Sequence, residues 1–486
     1  MSDLAVADER RTPIRLAGLC LGVAFAATML WAGPPEGLSP SAWAAACLAV
    51  LMLTWWVTEA IPIAATALLP MVVLPLAGVS PLKEAAASYM DPTVVLLMAG
   101  FIIAKGIERW NLHARIALHV VSIVGARPAA MILGFMIATT LISMWISNTA
   151  TALMMTPIAL SVAKATQGAT GENKRFVVAL LLGVCWAASI GGLATPVGSP
   201  TNLIVIGYLN AQGADISFLD WVKLGLPVVL IMTPLAWGVL ALYGGRGVAG
   251  ADPAAAKAVV RDALAALGRT TTPEARVLVL FLAIAGAWMT QPFLIQLPGL
   301  KHLNDQVIAV AGALLFFLAP SGSRTEPRTQ LLDWRTAEQI PWGVVLLFGG
   351  GLSLAAAVSK TGVADWLAGG FTGLFALPDI VIVLALTAFV ILLTEVTSNV
   401  ATAAAMMPMV GALASAGGVD PFLLAAPVGL AASCGFMLPI ATGPNAVIYA
   451  TGAVTTRQMI GLGVWADLLA LAAITFAAGV LVPLLF

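Results

Sequence analysis

Ser147-Asn148-Thr149-Ala150-Thr151-Ala152 and Ser398-Asn399-Val400-Ala401-Thr402-Ala403 decide how this chain is read. Each cluster lies inside a long apolar stretch. Each is followed by a proline, Pro157 or Pro408, at the same distance from its serine. One polar sextet used once in each half of a chain indicates two half-sites that face one another. Repeated halves with polar interruptions at bilayer depth are the pattern of secondary transporters.

The repeat extends outward from the sextets. Val94-Val95-Leu96-Leu97 matches Val344-Val345-Leu346-Leu347, and Trp56-Val57-Thr58 matches Trp288-Met289-Thr290. Ala187-Ala188-Ser189 matches Ala431-Ala432-Ser433, and Ser199-Pro200-Thr201-Asn202 matches Thr442-Gly443-Pro444-Asn445. The order is the same in both halves, which indicates a duplication.

Composition sets the medium. Of 486 residues, 60% are hydrophobic and 9% charged, against about 25% charged in a soluble domain. Many stretches approach or exceed the ~18 apolar residues of a membrane helix. The chain therefore reads as an all-α polytopic membrane protein. Lys+Arg and Asp+Glu balance at 23 each, so charge points to no nucleic-acid partner. The four Cys and three His lack disulfide or metal-ligand spacing, and no nucleophile–base set suggests an enzyme. The first apolar run has no small-residue cleavage site after it and reads as a retained span.

Membrane segments are expected near 14–32, 42–59, 61–78, 91–107, 176–209, 220–243, 277–297, 304–320, 341–358, 420–452 and 458–486. Residues 110–126 are amphipathic and belong at the interface; 361–376 is another short segment and 164–175 a polar loop. Two stretches, 128–163 and 379–415, are broken at the sextets and read as re-entrant hairpins. The regions are then 1–90, first-repeat scaffold helices; 91–219, a transport region with hairpin 128–163 and broken helix 176–209; 220–340, scaffold with a cytoplasmic insert at 245–276; 341–455, a second transport region with hairpin 379–415 and broken helix 420–452; and 456–486, a C-terminal helix. The insert's Ala254 to Leu267 reads as a surface helix.

Charge placement gives the orientation. With the N-terminus cytoplasmic and both hairpins entering and leaving on one side, most Lys and Arg, including Arg10, Arg11, Arg109, Arg115, Arg127, Arg175, Arg246, Arg276 and Arg335, fall inside. Lys83, Lys223, Lys301 and Lys360 fall outside. The two halves are then inverted, and the membrane is the cell's inner (cytoplasmic) membrane.

Irregular backbone at membrane depth is tolerated only where it lines a cavity or is buried in protein. The sextets and the two Pro-Asn turns meet that need: proline breaks the ladder, freed carbonyls can bind a hard cation such as sodium, and new helix N-termini can face an anion. An asparagine at the junction can offer its amide oxygen to the cation and its NH2 to a carboxylate. No Lys or Arg lies in either motif, and a dianion buried without partners is very costly. Co-bound cations are the expected compensation. A single Ser-Asn-Thr would read as interhelical packing; the duplicated motif with its Pro-Asn turns reads as a site. Glu395 is either a proton carrier or a structural partner for the hairpin backbone. Glu59, Lys105 and Glu108 read as solvated or snorkelling at helix ends, and Met154-Met155 and Met406-Met407 as hairpin packing.

On these motifs, together with Thr394-Glu395-Val396-Thr397-Ser398-Asn399 and the stretch from Leu96 to Leu118, the chain resembles the divalent anion/sodium symporter family, the INDY-type dicarboxylate, citrate and sulfate carriers. The resemblance covers nearly the whole chain. It implies eleven membrane helices and two re-entrant hairpins, divided into scaffold and transport domains of a homodimer that moves like an elevator. It implies one sodium near Ser143, Ser147, Asn148 and Gly198, and a second near Thr394, Thr397, Asn399 and Ala441. Substrate carboxylates would meet Asn148, Thr149, Ser199, Asn399, Val400 and Thr442. Val400 stands where many members carry Thr, and Ser199-Pro200-Thr201 and Thr442-Gly443-Pro444 replace the commoner Thr-Pro-Pro. The implied activity is sodium-coupled symport of C4-dicarboxylates such as succinate, malate or fumarate. Open beside it stand a sulfate or tricarboxylate carrier, a dicarboxylate exchanger, and a sodium/proton antiporter that would use Glu395.

Overall fold

Helix starts are written into the sequence. Proline occupies the first turn of Pro40–Thr58, Pro92–Arg109, Pro128–Ser143, Pro200–Ala211 and Pro421–Ala432, where its missing N–H is not needed and its φ is preset. Capping boxes Ser217/Asp220, Thr271/Glu274 and Thr455/Gln458 open Phe218–Gly244, Thr272–Leu294 and Thr456–Phe476. The computed structural model describes residues 13–124, 127–166, 174–245, 253–364, 366 and 377–485. Arg10, Arg11 and Arg246 of the charge asymmetry, residues 167–173 of the polar loop, 246–252 of the insert, 367–376 of the short segment and Phe486 lie outside the described residues.

Among the described residues, eight helices are long and apolar enough to cross a bilayer by length and composition. Eighteen residues rise ~27 Å, close to the hydrocarbon thickness. The three remaining members of the expected eleven are short or interrupted: Ile63–Leu76, Asp305–Leu318 and Pro421–Ala432. The amphipathic segment forms Leu112–Ile123 and the insert helix forms Pro253–Leu267. Arg115 joins the two to the membrane helices. Its guanidinium donates to Glu274 Oε1 and Oε2 at 2.9 and 3.1 Å and to the carbonyls of Leu267 and Gly268 at 3.1 and 2.9 Å.

Both sextets interrupt their stretches as expected. Hairpin 1 has arms Pro128–Ser143 and Asn148–Thr166; hairpin 2 has arms Asp379–Thr394 and Asn399–Gly417. The tips are residues 144–147 and 395–398. Broken helix 1 is Lys174–Gly191 followed by Pro200–Ala211, and broken helix 2 is Pro421–Ala432 followed by Gly443–Ala450.

The broken helices release carbonyls where no water is at hand, and one side chain answers for each break. Asn202 Nδ2 donates to the carbonyls of Gly192 and Thr195, both at 2.8 Å. Asn445 Nδ2 donates to those of Gly435 and Leu438 at 3.0 and 2.7 Å. The offsets along the chain are identical, ten and seven residues, and both asparagines are fully buried.

The helix following each break closes on it through glycine. A Cβ at Gly225 would lie 2.3 Å from the Leu193 carbonyl oxygen, and one at Gly463 2.4 Å from that of Phe436, so only glycine permits this backbone approach. Phe218–Gly244 packs on Lys174–Gly191, on Pro128–Ser143 and on Thr456–Phe476. It thus sits among the elements that carry the sextets, although its region, 220–340, reads as scaffold from sequence. Pro92–Arg109, grouped in sequence with the transport region, packs chiefly against Asp305–Leu318 and also against Pro200–Ala211 and Thr272–Leu294. Lys174–Gly191 is buried throughout from Phe176 onward, whereas Thr272–Leu294 and the first helix are largely exposed. The duplicated unit is therefore the centre of the molecule.

Replacing Asn202 or Asn445 by Leu removes two buried hydrogen bonds: the Thr195 and Leu438 carbonyls keep the N–H groups of Gly198 and Ala441, but the Gly192 or Gly435 carbonyl is left without its donor, at about 1–3 kcal/mol. Each variant is expected to melt well below the wild type in detergent, while Asn210→Leu, on the same helix as Asn202 but at its partly exposed end, shifts the midpoint less; equal shifts at all three positions would contradict the stapling role.

Candidate functional site

The two hairpin tips build the same unit. Ser143 ends the first arm of hairpin 1, and its Oγ lies 2.7 Å from Asn148 Oδ1 and 2.6 Å from the Ala188 carbonyl oxygen. Thr394 ends the first arm of hairpin 2, and its Oγ1 lies 2.8 Å from Asn399 Oδ1 and 2.7 Å from the Ala432 carbonyl oxygen. A hydroxyl has one proton, so it serves one of its two oxygens at a time. Each tip is consequently an oxygen-rich pocket short of donors.

The second pocket is the more complete. The inward amide position of Asn399 lies 2.8 Å from Thr394 Oγ1, 3.2 Å from the Ala432 oxygen and 3.1 Å from the Ala441 oxygen. With NH2 turned inward, its two protons lie within reach of all three oxygens and satisfy two at a time. With its oxygen inward, four oxygens converge, an arrangement that a cation at the centre would favour. The Ala441 carbonyl oxygen is one of those that face the amide. In the first pocket Gly192 lies against the Asn148 amide: a Cβ there would meet Oδ1 at 2.5 Å and Nδ2 at 2.9 Å.

A cavity of about 950 Å³ joins the two tips. Ser147, Asn148, Thr149 and Gly198 line it from the first repeat, with Ser199 at the start of Pro200–Ala211. Thr397, Asn399, Val400, Ala441 and Thr442 line it from the second. The structure therefore brings together every expected lining residue, with Ser143 and Thr394 buried just behind. Thr149 packs its hydroxyl over Gly443, so the tip of hairpin 1 touches broken helix 2.

Three side chains are engaged in ways the sequence does not disclose. The Thr397 hydroxyl donates to the Leu393 carbonyl at 2.7 Å and lies 2.6 Å from Thr402 Oγ1, turned into its own hairpin rather than toward Asn399. Ser199 shares a buried triangle of hydroxyls with Thr201 and Ser433, at 2.8, 3.1 and 2.7 Å. To donate to a ligand Ser199 must release one of those contacts. Glu395 is buried away from the cavity lining, with Oε1 and Oε2 accepting from the N–H groups of Met437 and Leu438 at 2.8 Å each. Of its two readings, this geometry matches the structural partner, though the backbone it serves belongs to broken helix 2 and not to its hairpin.

The lining of the cavity also includes Arg15, Glu59, Lys105 and Glu108. They pair off, Arg15 with Glu59 at 3.3 Å and Lys105 with Glu108 at 2.7 Å, so the mouth offers no uncompensated positive charge to an anion. Sequence reading missed the Ala188 and Ala432 carbonyls, Gly192 and Asp467. Only Gly192 left a signal, a second glycine where the helix must end.

Two oxygen-rich hairpin tips, each beside the start of a second half-helix and both lining one cavity, fit a secondary transporter of the membrane. The chain belongs to the family described as the sodium:sulfate symporter transmembrane region, whose pattern matches residues 14–486. It is 38% identical over 482 residues to the sodium-dependent dicarboxylate transporter SdcS of Staphylococcus saprophyticus, covering 96% of this chain and 92% of that protein. The SdcS protein of Staphylococcus aureus is 36% identical over 479 residues, covering 97% and 92%. Among solved structures, the YdaH transporter of Alcanivorax borkumensis aligns over 97% of both chains with a TM-score of 0.54 at 13% identity, a likeness of fold alone.

Gly192→Ala is expected to push the Asn148 amide out of its pocket and cut uptake of the carried anion at least tenfold, whereas Gly286→Ala, whose Cβ meets nothing, leaves uptake near wild type. Parallel vesicle assays check both; equal uptake in the two variants would sever Gly192 from the site.

Proposed function

We propose that this protein is a sodium-coupled symporter of C4-dicarboxylates such as succinate, malate and fumarate, working in the cell's inner (cytoplasmic) membrane with its N-terminus in the cytoplasm. The observation that carries the reading is the convergence of oxygens on the Asn399 amide, repeated in reduced form at Asn148. Two such cages, each holding one sodium, cancel the two charges of a dicarboxylate that meets no Lys or Arg at the tips. The printed names of the SdcS relatives support both the ion and the substrate class.

Binding then proceeds as follows. Sodium turns each amide oxygen inward, which points the Nδ2 groups of Asn148 and Asn399 into the cavity. There they donate to the substrate carboxylates, with Thr149 and Thr442 as further hydroxyl donors. Val400 offers a methyl surface in place of a hydroxyl and biases the site toward a small, unbranched dianion. Hairpins 1 and 2, the broken helices, Phe218–Gly244 and the last helix form the moving unit of an elevator. Pro13–Arg109 and the helices from Thr272 to Thr361 form the scaffold through which two copies associate as a homodimer. With the N-terminus inside, the mouth beside Arg15 and Glu59 faces the cytoplasm, and the conformation is inward-facing.

The test is uptake of labelled succinate into proteoliposomes with an inward sodium gradient or with choline, in the presence of unlabelled malate, sulfate or citrate. Sodium-driven uptake blocked by malate supports the proposal. Sodium-independent uptake that requires internal dicarboxylate, or displacement by sulfate, contradicts it. Asn148→Ala and Asn399→Ala are each expected to lose succinate binding together with sodium activation; near-normal coupled uptake in either removes the shared-amide account. Val400→Thr, nearly the same shape, is expected to change the ranking of competing anions without loss of folding, and an unchanged ranking would mean that the side chain does not face the substrate.

A further inference from the structure

The two repeats differ at one place that bears on the cation cages. Gly225 and Gly463 touch their breaks in the same way, and Ser217 and Thr455 cap the same helices. By that register Asp467 stands where the first repeat has Val229. By the register of the sextets Glu395 stands where it has Met144. Val229 and Met144 are buried and apolar.

The unwound backbone is held differently as a result. In the first repeat, the N–H groups of Leu193 and Ala194 donate to the carbonyls of Ile190 and Gly191 at 3.1 Å. In the second, three successive N–H groups turn to carboxylates: Phe436 to Asp467 Oδ1 at 3.3 Å, Met437 to Glu395 Oε1 and Leu438 to Glu395 Oε2, both at 2.8 Å. Both acids are buried and their carboxyls adjoin one another, so the pair shares a proton and holds a single negative charge. Among the described residues neither forms an ion pair with a basic side chain. Glu395 directly follows Thr394, and the stretch it holds leads into Ala441, so the acids grip the second cage from both sides.

We propose that Glu395 and Asp467 are positioning residues for the Asn399 cage: they fix the backbone that presents the Ala441 oxygen, and the one negative charge they share makes this the tighter of the two cation sites. The inference rests on the sodium reading above. A cation at Asn399 answers the single charge of a buried carboxyl pair that otherwise lacks a counter-charge. A cation at Asn148 meets only neutral dipoles until a substrate carboxylate arrives. The Asn399 cage therefore responds to sodium alone, and the Asn148 cage fills with substrate.

The test is thermal stabilisation of the purified full chain by sodium chloride without substrate, with choline chloride holding ionic strength constant. The double variant Glu395→Gln/Asp467→Asn keeps the acceptor oxygens and removes the one charge the pair holds. It is expected to raise the sodium concentration for half-maximal stabilisation roughly tenfold, the scale of one partly screened charge a few ångströms away. Independently, and should the double variant fail to fold, Thr394→Ala is expected to abolish the response to sodium alone and Ser143→Ala to retain it. An unchanged midpoint in the double variant, or equal loss in Thr394→Ala and Ser143→Ala, overturns the proposal while sodium-driven uptake by the wild type leaves symport standing. Wild-type uptake that ignores sodium removes the sodium reading itself, a separate result.

Discussion

A carbonyl released inside a bilayer must find a donor, and the rest of this structure depends on how Asn202 and Asn445 meet that requirement. Each asparagine returns from the first turn of the second half-helix to two carbonyls across the break. One amide group thus replaces the lost ladder and holds two half-helices apart at a fixed distance. The opened backbone between them lies against the hairpin tips, where Ser143 and Thr394 reach the Ala188 and Ala432 carbonyls. Those two carbonyls belong to the last turn of each first half-helix, and the staples hold the backbone that leaves that turn.

The cages follow an electrostatic logic. Hydroxyl, amide and carbonyl oxygens crowd together with too few protons, an arrangement that is unfavourable when empty and favourable around a cation. The cavity adds no net charge, because its four ionised side chains cancel in pairs. An anion entering there gains little from the protein alone and much from cations already bound. In the proposed symport, coupling of ion to anion needs no separate device, since one asparagine amide serves the cation with its oxygen and the anion with its nitrogen. The acids beside the second cage are a further difference between the two halves.

Much of this was legible in the chain. The sextets, the prolines that start helices and the Pro-Asn turns located both hairpins and both broken helices to within a few residues, because each depends on a local rule of backbone chemistry. The cage asparagines followed from the same motifs. The Ala188 and Ala432 ligands did not, since a carbonyl oxygen carries no residue identity. Asp467 did not, because its partners Phe436 and Glu395 lie on other elements. The neighbours of Phe218–Gly244 were hidden for a related reason: a helix apolar on every side gives no periodic signal of which neighbour it prefers. The Ser199–Thr201–Ser433 triangle depends on two broken helices crossing, which no spacing within either one records.

The most direct measurement is a pair of high-resolution structures of the full chain, one in sodium chloride and one in choline chloride, both without substrate. The account predicts density for an ion at the centre of the Thr394, Asn399, Ala432 and Ala441 oxygens in sodium, with the amide oxygen inward. In choline it predicts an empty centre and the amide turned to donate. Identical amide orientation in both salts, with no ion density between those oxygens, would contradict the claim that the hairpin tips are cation cages.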